Sequence, residues 1–119
     1  MDKGAQIQGE HLNIDVLRDR DMVVVALRGE LDLASAPLLQ NTIEGSDTDD
    51  ARLVVLDMED LEFIDSTGLR IVLMAHTRAQ ERGQELVLTR IGHQVQRLLT
   101  ITRVGEHLRI VDSPEELLV

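Results

Sequence analysis

The second half of this 119-residue sequence alternates between two kinds of apolar pattern, and this alternation restricts the fold more than any other feature. A short continuous apolar run predicts a buried strand, and apolar residues spaced by three or four predict a helix with one buried face. From residue 52 onwards the patterns predict strand 52–58, helix 66–82, strand 84–90, helix 92–103 and strand 107–111. Strands joined by helices pair in parallel through right-handed crossovers, so a largely parallel sheet is predicted.

The first part of the chain predicts an antiparallel pairing instead. Residues 12–18 alternate between apolar and polar side chains, residues 22–29 are β-branched and apolar, and the polar connection between them is short. This arrangement is typical of a hairpin. Residues 1–10 are polar and aperiodic and are predicted to be a loose lead-in. Residues 11–119 are predicted to form a single domain, because no linker or repeat divides them and their length suffices for a core.

Helix-end signals complete the predicted fold. Ser35, Pro37 and Gly45 predict a helix with a serine cap, a proline in the first turn and a glycine at its end. Ser113 and Glu116 form a capping box that predicts a last helix at the C-terminus. The predicted fold class is therefore α/β, with a mixed, mostly parallel sheet of four to five strands, an N-terminal antiparallel hairpin and about four helices.

Charge and composition disfavour several classes of partner. The 12 basic and 22 acidic residues give a net charge of −10, which disfavours nucleic acid and anionic membranes and favours a basic protein surface. Phe63 is the single aromatic residue, which disfavours base stacking. The sequence has no cysteine, no signal-peptide core and no apolar run long enough to span a membrane, so a soluble cytoplasmic protein is predicted.

Motifs for catalysis or cofactor binding are missing from the sequence. A glycine-rich phosphate loop, a dinucleotide fingerprint and a nucleophile elbow are all absent, so neither an enzymatic activity nor a cofactor is predicted. The 4 histidines have no metal-ligand spacing to one another. The acidic turn with Asp47, Asp49 and Asp50 lacks the glycine and the closing glutamate of a calcium loop, so no metal site is predicted.

Residues 64–69, Ile-Asp-Ser-Thr-Gly-Leu, join a predicted strand to a predicted helix. Functional groups of α/β sheets gather beyond the carboxyl ends of parallel strands, where Ser66 is predicted to lie. Unpaired amides and the positive end of the helix dipole favour a phosphate there. Asp65 is placed to orient the hydroxyl or accept its proton, and Gly68 leaves room for a partner or a nucleotide to approach. The alternative is that Asp65 or Ser66 only caps the helix, and the local residues do not decide between the two.

Three stretches resemble the STAS family and, within it, the bacterial anti-sigma factor antagonists: residues 27–40, 53–76 and 108–118. The second stretch is the most specific, because the strand, the acid-serine-hydroxyl-glycine sequence and the helix follow the family's order and spacing. The resemblance implies a single STAS-like domain with helices mainly on one face of the sheet. It also implies a non-enzymatic protein that binds an anti-sigma factor, a serine kinase of the GHKL ATPase type, and so releases a sigma factor.

By this resemblance Ser66 aligns with the serine that the kinase phosphorylates. The phosphorylation breaks the complex, and a PP2C-type phosphatase removes the phosphate so that the complex can form again. Asp32 and Asp65 match acidic positions near that serine, and Thr67 matches a neighbouring hydroxyl position. The residues expected to contact the partner lie in the first turn of the helix: Ser66, Thr67, Gly68, Leu69 and Arg70.

Two other functions are left open by the sequence. A small nucleotide-binding protein would use the pocket around Asp32 and Ser66, but the missing phosphate loop and the shortage of basic residues count against it. A STAS subunit of a transporter or of a stress-sensing assembly keeps the same fold. The short chain without added sensory or membrane segments favours the free-standing antagonist.

The sequence leaves two further features open: the end of the helix over 92–103 and the role of three arginines. Many family members carry a glycine near Arg103 to end the helix, whereas here Gly105 is expected to end it. Arg70, Arg78 and Arg82 lie on the predicted helix 66–82, where they either tune the choice of partner or form a solvated helix face.

Overall fold

A six-stranded mixed sheet organises the computed structural model, in which residues 4–117 are described. The strands are β1 (Ala5–Gln8), β2 (Leu12–Asp19), β3 (Met22–Leu31), β4 (Leu53–Ile64), β5 (Glu85–Thr89) and β6 (Arg109–Val111). The α-helices are α1 (Ala36–Glu44), α2 (Ser66–Glu81) and α3 (His93–Thr102), and short 3-10 helices cover Ser46–Thr48, Val104–His107 and Pro114–Leu117. The strands lie in chain order, antiparallel from β1 to β3 and parallel from β3 to β6, which confirms the predicted hairpin and the parallel crossovers.

The helices share one face of the sheet because the strands keep chain order. Right-handed crossovers that always advance in the same direction place every helix on the same side. The main core lies between this face and the helices, and its fully buried members include Leu39, Leu56, Val72, Leu88 and Leu99. The other face carries a smaller apolar cluster of Met22, Leu53, Val55 and Val87, against which Leu117 packs. β4 is thus covered on both faces, as its continuous apolar run predicts.

The lead-in predicted for residues 1–10 is wrong for the segment Ala5–Gln8, which forms the edge strand β1. β1 pairs with β2 in antiparallel register, with Ala5 opposite Val16 and Gln8 opposite Asn13. Ala5 and Ile7 pack against the core. Two apolar residues in four are too few to establish a period of two, so the sequence pattern did not predict this strand. The sheet therefore has one strand more than expected.

β4 extends to Ile64, six residues beyond the end predicted from its apolar run. Its register with β3 shifts by one residue at two places, and at each place β4 carries the extra residue. The buried residues of the last half of β4 are therefore Met58, Leu61 and Ile64, three apart instead of two apart. This spacing is typical of neither a regular strand nor a helix. It explains why the sequence predicted the end of β4 at residue 58 instead of Ile64. The longer strand leads directly into Asp65 and α2.

The C-terminal segment that the capping box predicted as a helix is a 3-10 helix over Pro114–Leu117. The capping contact itself is present, because the amide of Ser113 donates to Oε2 of Glu116 at 3.0 Å. At the end of α3, Arg103 adopts a left-handed conformation with φ of 61°. A glycine meets this backbone requirement at lower cost, which accounts for the glycine that the resemblance expected there.

Two buried threonines offer a matched test of how hydroxyl groups affect stability in this core. Thr48 is buried and its Oγ1 donates to the carbonyl of Ile43 at 2.6 Å, whereas the buried Oγ1 of Thr89 has no partner within residues 4–117. We expect Thr89→Val to raise the free energy of unfolding by about 1 kcal/mol, because an unpaired buried hydroxyl is removed. Thr48→Val should lower it by a similar amount, since a hydrogen bond is lost.

Urea unfolding of both variants, followed by far-UV circular dichroism, checks this pair. A Thr89→Val variant less stable than the wild type would show that its hydroxyl is satisfied.

Candidate functional site

The junction between β4 and α2 places Ser66 at the surface. Asp65 occupies the cap position, and its Oδ1 accepts a 2.8 Å hydrogen bond from the amide of Gly68. Ser66 is the first residue of α2; its side chain is exposed and makes no hydrogen bond within the described chain. Asp65 alone therefore performs the capping, which leaves the Ser66 hydroxyl accessible to another protein.

The second oxygen of Asp65 connects this junction to the loop after β3. Oδ2 of Asp65 accepts a hydrogen bond of 3.1 Å from the amide of Leu33, and the amide of Asp65 donates to the carbonyl of Leu31 at 3.1 Å. These two contacts hold the loop that carries Asp32 against the start of α2. The structure therefore brings together the two stretches that contain Asp32 and Ser66.

Asp32 is held by contacts with two neighbouring residues. Its Oδ1 accepts from the amide of Ser35 at 3.0 Å, and its Oδ2 lies 3.2 Å from Nδ1 of His11. Partial burial favours the neutral carboxyl, but the hydrogen bonds from Ser35 and the nearby His11 outweigh this effect, so the pKa of Asp32 lies below its ordinary value. Asp32 is therefore ionised at neutral pH, as a charged neighbour of Ser66 should be.

Ser35 differs from its prediction as a side-chain cap of α1. It stands at the cap position, but its side chain makes no capping hydrogen bond. Its Oγ instead donates to the carbonyl of Glu30 at 2.7 Å and accepts from the amide of Asp32 at 2.9 Å. Ser35 thus stabilises the loop that presents Asp32.

The lowered pKa of Asp32 predicts how acid should affect stability. Because the folded pKa lies below the ordinary 3.8, the ionised carboxylate stabilises the folded state above that pH and loses this effect as the pH falls through the folded pKa. We expect Asp32→Asn to be less stable than the wild type at neutral pH, and the difference should shrink as the pH falls below 3.8. Urea unfolding at several pH values measures it, and a difference that is independent of pH would contradict the prediction.

Gly68 has a different function from the one expected from the sequence. A Cβ atom at this position would lie 2.5 Å from the carbonyl oxygen of Leu31 and 3.0 Å from Cγ1 of Ile64. The missing side chain therefore allows α2 to approach the chain's own strands, and Gly68 is buried. The expectation that Gly68 leaves room for a partner is not met.

The other residues expected to contact a partner differ in exposure. Arg70 is exposed and Thr67 is half-buried, so both offer side-chain surface beside Ser66. Leu69 is only 5% exposed and belongs to the core, so its side chain offers little surface to a partner. Burial follows from the helix geometry, because Leu69, Val72 and Ala79 share the buried face of α2.

Sequence reasoning missed two apolar residues at the site. Leu33 is 71% exposed and its amide bonds to Asp65, and Phe63, at the end of β4, is 40% exposed. Both residues add exposed apolar surface to the strand and loop next to the start of α2. Their position could not be read from sequence, since strand and loop apolar residues are ordinarily buried.

His11 was also missed, because it lies 21 residues before its partner Asp32. Its Nδ1 is 3.6 Å from Oε1 of Glu30 as well, so the three side chains form a cluster with donor atoms within 4.8 Å of one another. Spacing between histidines gives no signal for this cluster, because it contains a single histidine. His11 and Glu30 are exposed, and Nδ1 of His11 lies within ion-pair distance of the carboxylates of both Glu30 and Asp32.

Comparison with known proteins assigns this arrangement to a family. The family model of the STAS domain matches residues 13–117, and the chain belongs to the STAS domain family. The anti-sigma-B factor antagonist of Bacillus subtilis is 28% identical over 105 residues, which cover 88% of this chain and 95% of the relative. This similarity confirms the resemblance to anti-sigma factor antagonists.

Solved structures share the fold. An anti-sigma factor antagonist from Mycobacterium paratuberculosis has a TM-score of 0.81 at 21% identity, with 93% of this chain and 94% of that chain covered. The Bacillus cell fate determinant SpoIIAA in its phosphorylated form has a TM-score of 0.68 at 20% identity, with 88% and 96% covered. None of the helices within residues 4–117 combines the length and the apolar character that a membrane span needs.

Proposed function

We propose that this protein is an anti-sigma factor antagonist that binds an anti-sigma factor while Ser66 is unphosphorylated and is released when Ser66 is phosphorylated. The observation that carries the proposal is the exposed Ser66 hydroxyl at the first position of α2, with Asp65 satisfying the helix cap in its place. Supporting it, the Bacillus subtilis relative is named for antagonism of the anti-sigma-B factor, and a structural neighbour has been solved in a phosphorylated form.

The electrostatics of the site suit a phosphate switch. A phosphoserine adds roughly −1.5 to −2 charge at neutral pH. The amides in the first turn of α2 and the helix dipole favour this charge within the protein, so phosphorylation need not unfold the domain. In a complex, however, the phosphate would have to be desolvated close to Asp32 and Asp65 on a chain of net charge −10. The proposed result is loss of the complex without loss of the fold.

The partners follow from the same proposal. The anti-sigma factor is a serine kinase of the GHKL ATPase type that donates the phosphate, and a PP2C-type phosphatase removes it. The antagonist itself acts by binding and not by catalysis, in the cytoplasm where sigma factors work. Thr67, half-buried beside Ser66, is a neighbour of the modified residue and not the acceptor.

Site mapping by mass spectrometry tests the proposal. The protein is incubated with Mg-ATP and the anti-sigma kinase from its own cell, and intact mass and peptide mass are measured together with complex formation. A single phosphate on Ser66 with loss of the complex is expected, and Ser66→Ala, which keeps Thr67, should take up no phosphate. A phosphate on Thr67 would correct the site, and a stable complex without any phosphate would refute the switch.

A further inference from the structure

The last part of β4 extends beyond the neighbouring strand β5. β5 pairs with β4 only over residues 53–57, whereas β3 pairs with β4 as far as Ile64. Within residues 4–117, positions 58–64 of β4 therefore have no strand beside them on the β5 side. Backbone amides and carbonyls that point to this side need other partners, because an unpaired polar group is costly in a folded protein. The partners of Ile64 matter for the site, because Asp65 follows it directly.

The side chain of Gln94 supplies both partners at Ile64. Its Oε1 accepts a hydrogen bond from the amide of Ile64 at 2.9 Å, and its Nε2 donates to the carbonyl of the same residue at 2.9 Å. A carboxamide carries the same kind of donor and acceptor as a peptide group. Gln94 thus pairs with the end of β4 as an adjacent strand would.

Gln94 is itself held in place by the packing of α3. It lies in the first turn of this helix and is half-buried. The next residue, Val95, and Leu99 one turn later are each 2% exposed and belong to the main core. The carboxamide therefore projects from a helix whose position is fixed by close-packed side chains.

The junction between β4 and α2 is thus attached to two different parts of the fold. Asp65 is hydrogen-bonded to Leu31 at the end of β3 and to Leu33 in the loop after it. Ile64, one residue earlier, is hydrogen-bonded to Gln94 of α3. The direction in which the chain enters α2 depends on both attachments.

We infer that Gln94 is a positioning residue for Ser66: it fixes the end of β4, and with it the start of α2 and the orientation of the Ser66 hydroxyl. The inference rests on the proposed function for the role of Ser66 and adds α3 to the elements that determine this role. Phosphoryl transfer requires the hydroxyl to be aligned with the phosphate donor, and a displacement of about 1 Å slows such a step by up to about a hundredfold. Binding of the partner depends less on this alignment, since exposed surface such as that of Arg70 remains.

The substitution Gln94→Glu tests the pairing with little change of shape. The ionised carboxylate still accepts from the amide of Ile64 but has no proton for its carbonyl, whereas the protonated carboxyl serves both groups. The pKa of the introduced carboxyl should therefore lie above its ordinary value of about 4.3. Gln96→Glu is the matched control, because Gln96 is exposed, lies two residues later on α3 and bonds to Thr100 of the same helix.

Amide NMR spectra of the full 15N-labelled chain, recorded between about pH 7.5 and about pH 4.5, report on the site without a partner protein. In Gln94→Glu the amides of Asp65 and Ser66 are expected to shift at neutral pH and to approach their wild-type positions as the introduced carboxyl is protonated. Asp65 itself, Asp32 and His11 titrate at this site in every variant, so the wild-type chain over the same range gives the baseline. Gln96→Glu should follow this baseline.

Kinetics of Ser66 phosphorylation by the anti-sigma kinase separate positioning from stability. In Gln94→Glu at neutral pH, kcat should fall roughly tenfold, whereas KM should change by less than about threefold. Partial unfolding of the variant would instead raise the apparent KM, because it lowers the concentration of folded substrate. Gln96→Glu should keep both constants of the wild type.

Hydrogen exchange of the wild-type chain tests the contact without any substitution. The amide of Ile64 should exchange as slowly as the strand-paired amides of β4, because Gln94 protects it.

The outcomes distinguish this inference from the proposed function. Rapid exchange of the Ile64 amide, Asp65 and Ser66 amides of Gln94→Glu that follow the baseline, or an unchanged kcat would each overturn the inference and leave the proposed function intact. Equal effects of Gln96→Glu would also overturn it, since the change would then not depend on the contact with Ile64. Absence of Ser66 phosphorylation in the wild-type chain would refute the proposed function, while exchange and amide shifts would still decide whether Gln94 positions the junction.

Discussion

Ser66→Asp is expected to weaken binding to the anti-sigma factor by at least roughly tenfold, while Ser66→Ala keeps the affinity of the wild type. Ser66 is exposed and makes no hydrogen bond within residues 4–117, so neither change removes a contact that the fold needs. The aspartate places a carboxylate close to Asp32 and Asp65, where a complex would have to desolvate it. A carboxylate carries less charge than a phosphate, so the effect of phosphorylation itself should be larger.

The measurement is titration calorimetry of the two variants against the same anti-sigma factor. His93→Asp is the matched control, because His93 is also an exposed first residue of an α-helix, at the start of α3. It changes the chain's charge at an equivalent helix position and should bind normally. If Ser66→Asp binds as tightly as Ser66→Ala, negative charge at Ser66 does not control the complex.

Gly68→Ala is expected to lower the free energy of unfolding by about 1–3 kcal/mol, although alanine is the better helix former. The new Cβ would lie 2.5 Å from the carbonyl oxygen of Leu31, a backbone atom of a buried strand that cannot turn aside. α2 must therefore move away from β3, which strains the contacts that Asp65 makes with Leu31 and Leu33. The gain in helix propensity, about 1 kcal/mol, offsets only part of this cost.

Urea and thermal unfolding of the variant measure the effect, and a fall in the midpoint of roughly 5–15 °C is expected. Gly105→Ala is the matched control, because a Cβ there meets its nearest neighbour, Cβ of Leu99, at an ordinary 3.5 Å. It should change the midpoint little. A Gly68→Ala variant as stable as the wild type would show that α2 has space to move away from Leu31 without cost.

The regular elements followed from short-range signals in the sequence. The apolar spacing predicted a helix over 66–82, and α2 covers Ser66–Glu81, followed closely by Gly83. Gly83 has φ of +71°, a conformation that glycine adopts without a steric penalty. The strand predicted over 84–90 is β5, Glu85–Thr89. These signals act between residues within one or two turns, and they need no knowledge of what lies opposite.

Only the part of the candidate site that lies within one short sequence motif was predictable from local signals. Asp65 and Ser66 are adjacent in sequence, so their position at the start of a helix could be inferred, and Asp32 followed from the family resemblance. The contact of His11 with Asp32 and the exposure of Leu33 had no sequence signal. Both features depend on how the loop after β3 lies against the start of α2. Hydrogen bonds to Asp65 determine the position of this loop.

By itself, the sequence determined the α/β class, the antiparallel start, the parallel crossovers and the helix that begins at Ser66. The tertiary structure decided that Ala5–Gln8 is a strand, that β4 runs to Ile64 and that Gly68 faces its own chain instead of a partner. The physical reason is the sequence separation between the residues that interact. Periodicity and helix caps are set by neighbours along the chain. Strand register, bulges and close backbone approach are set by atoms that only the folded chain brings together.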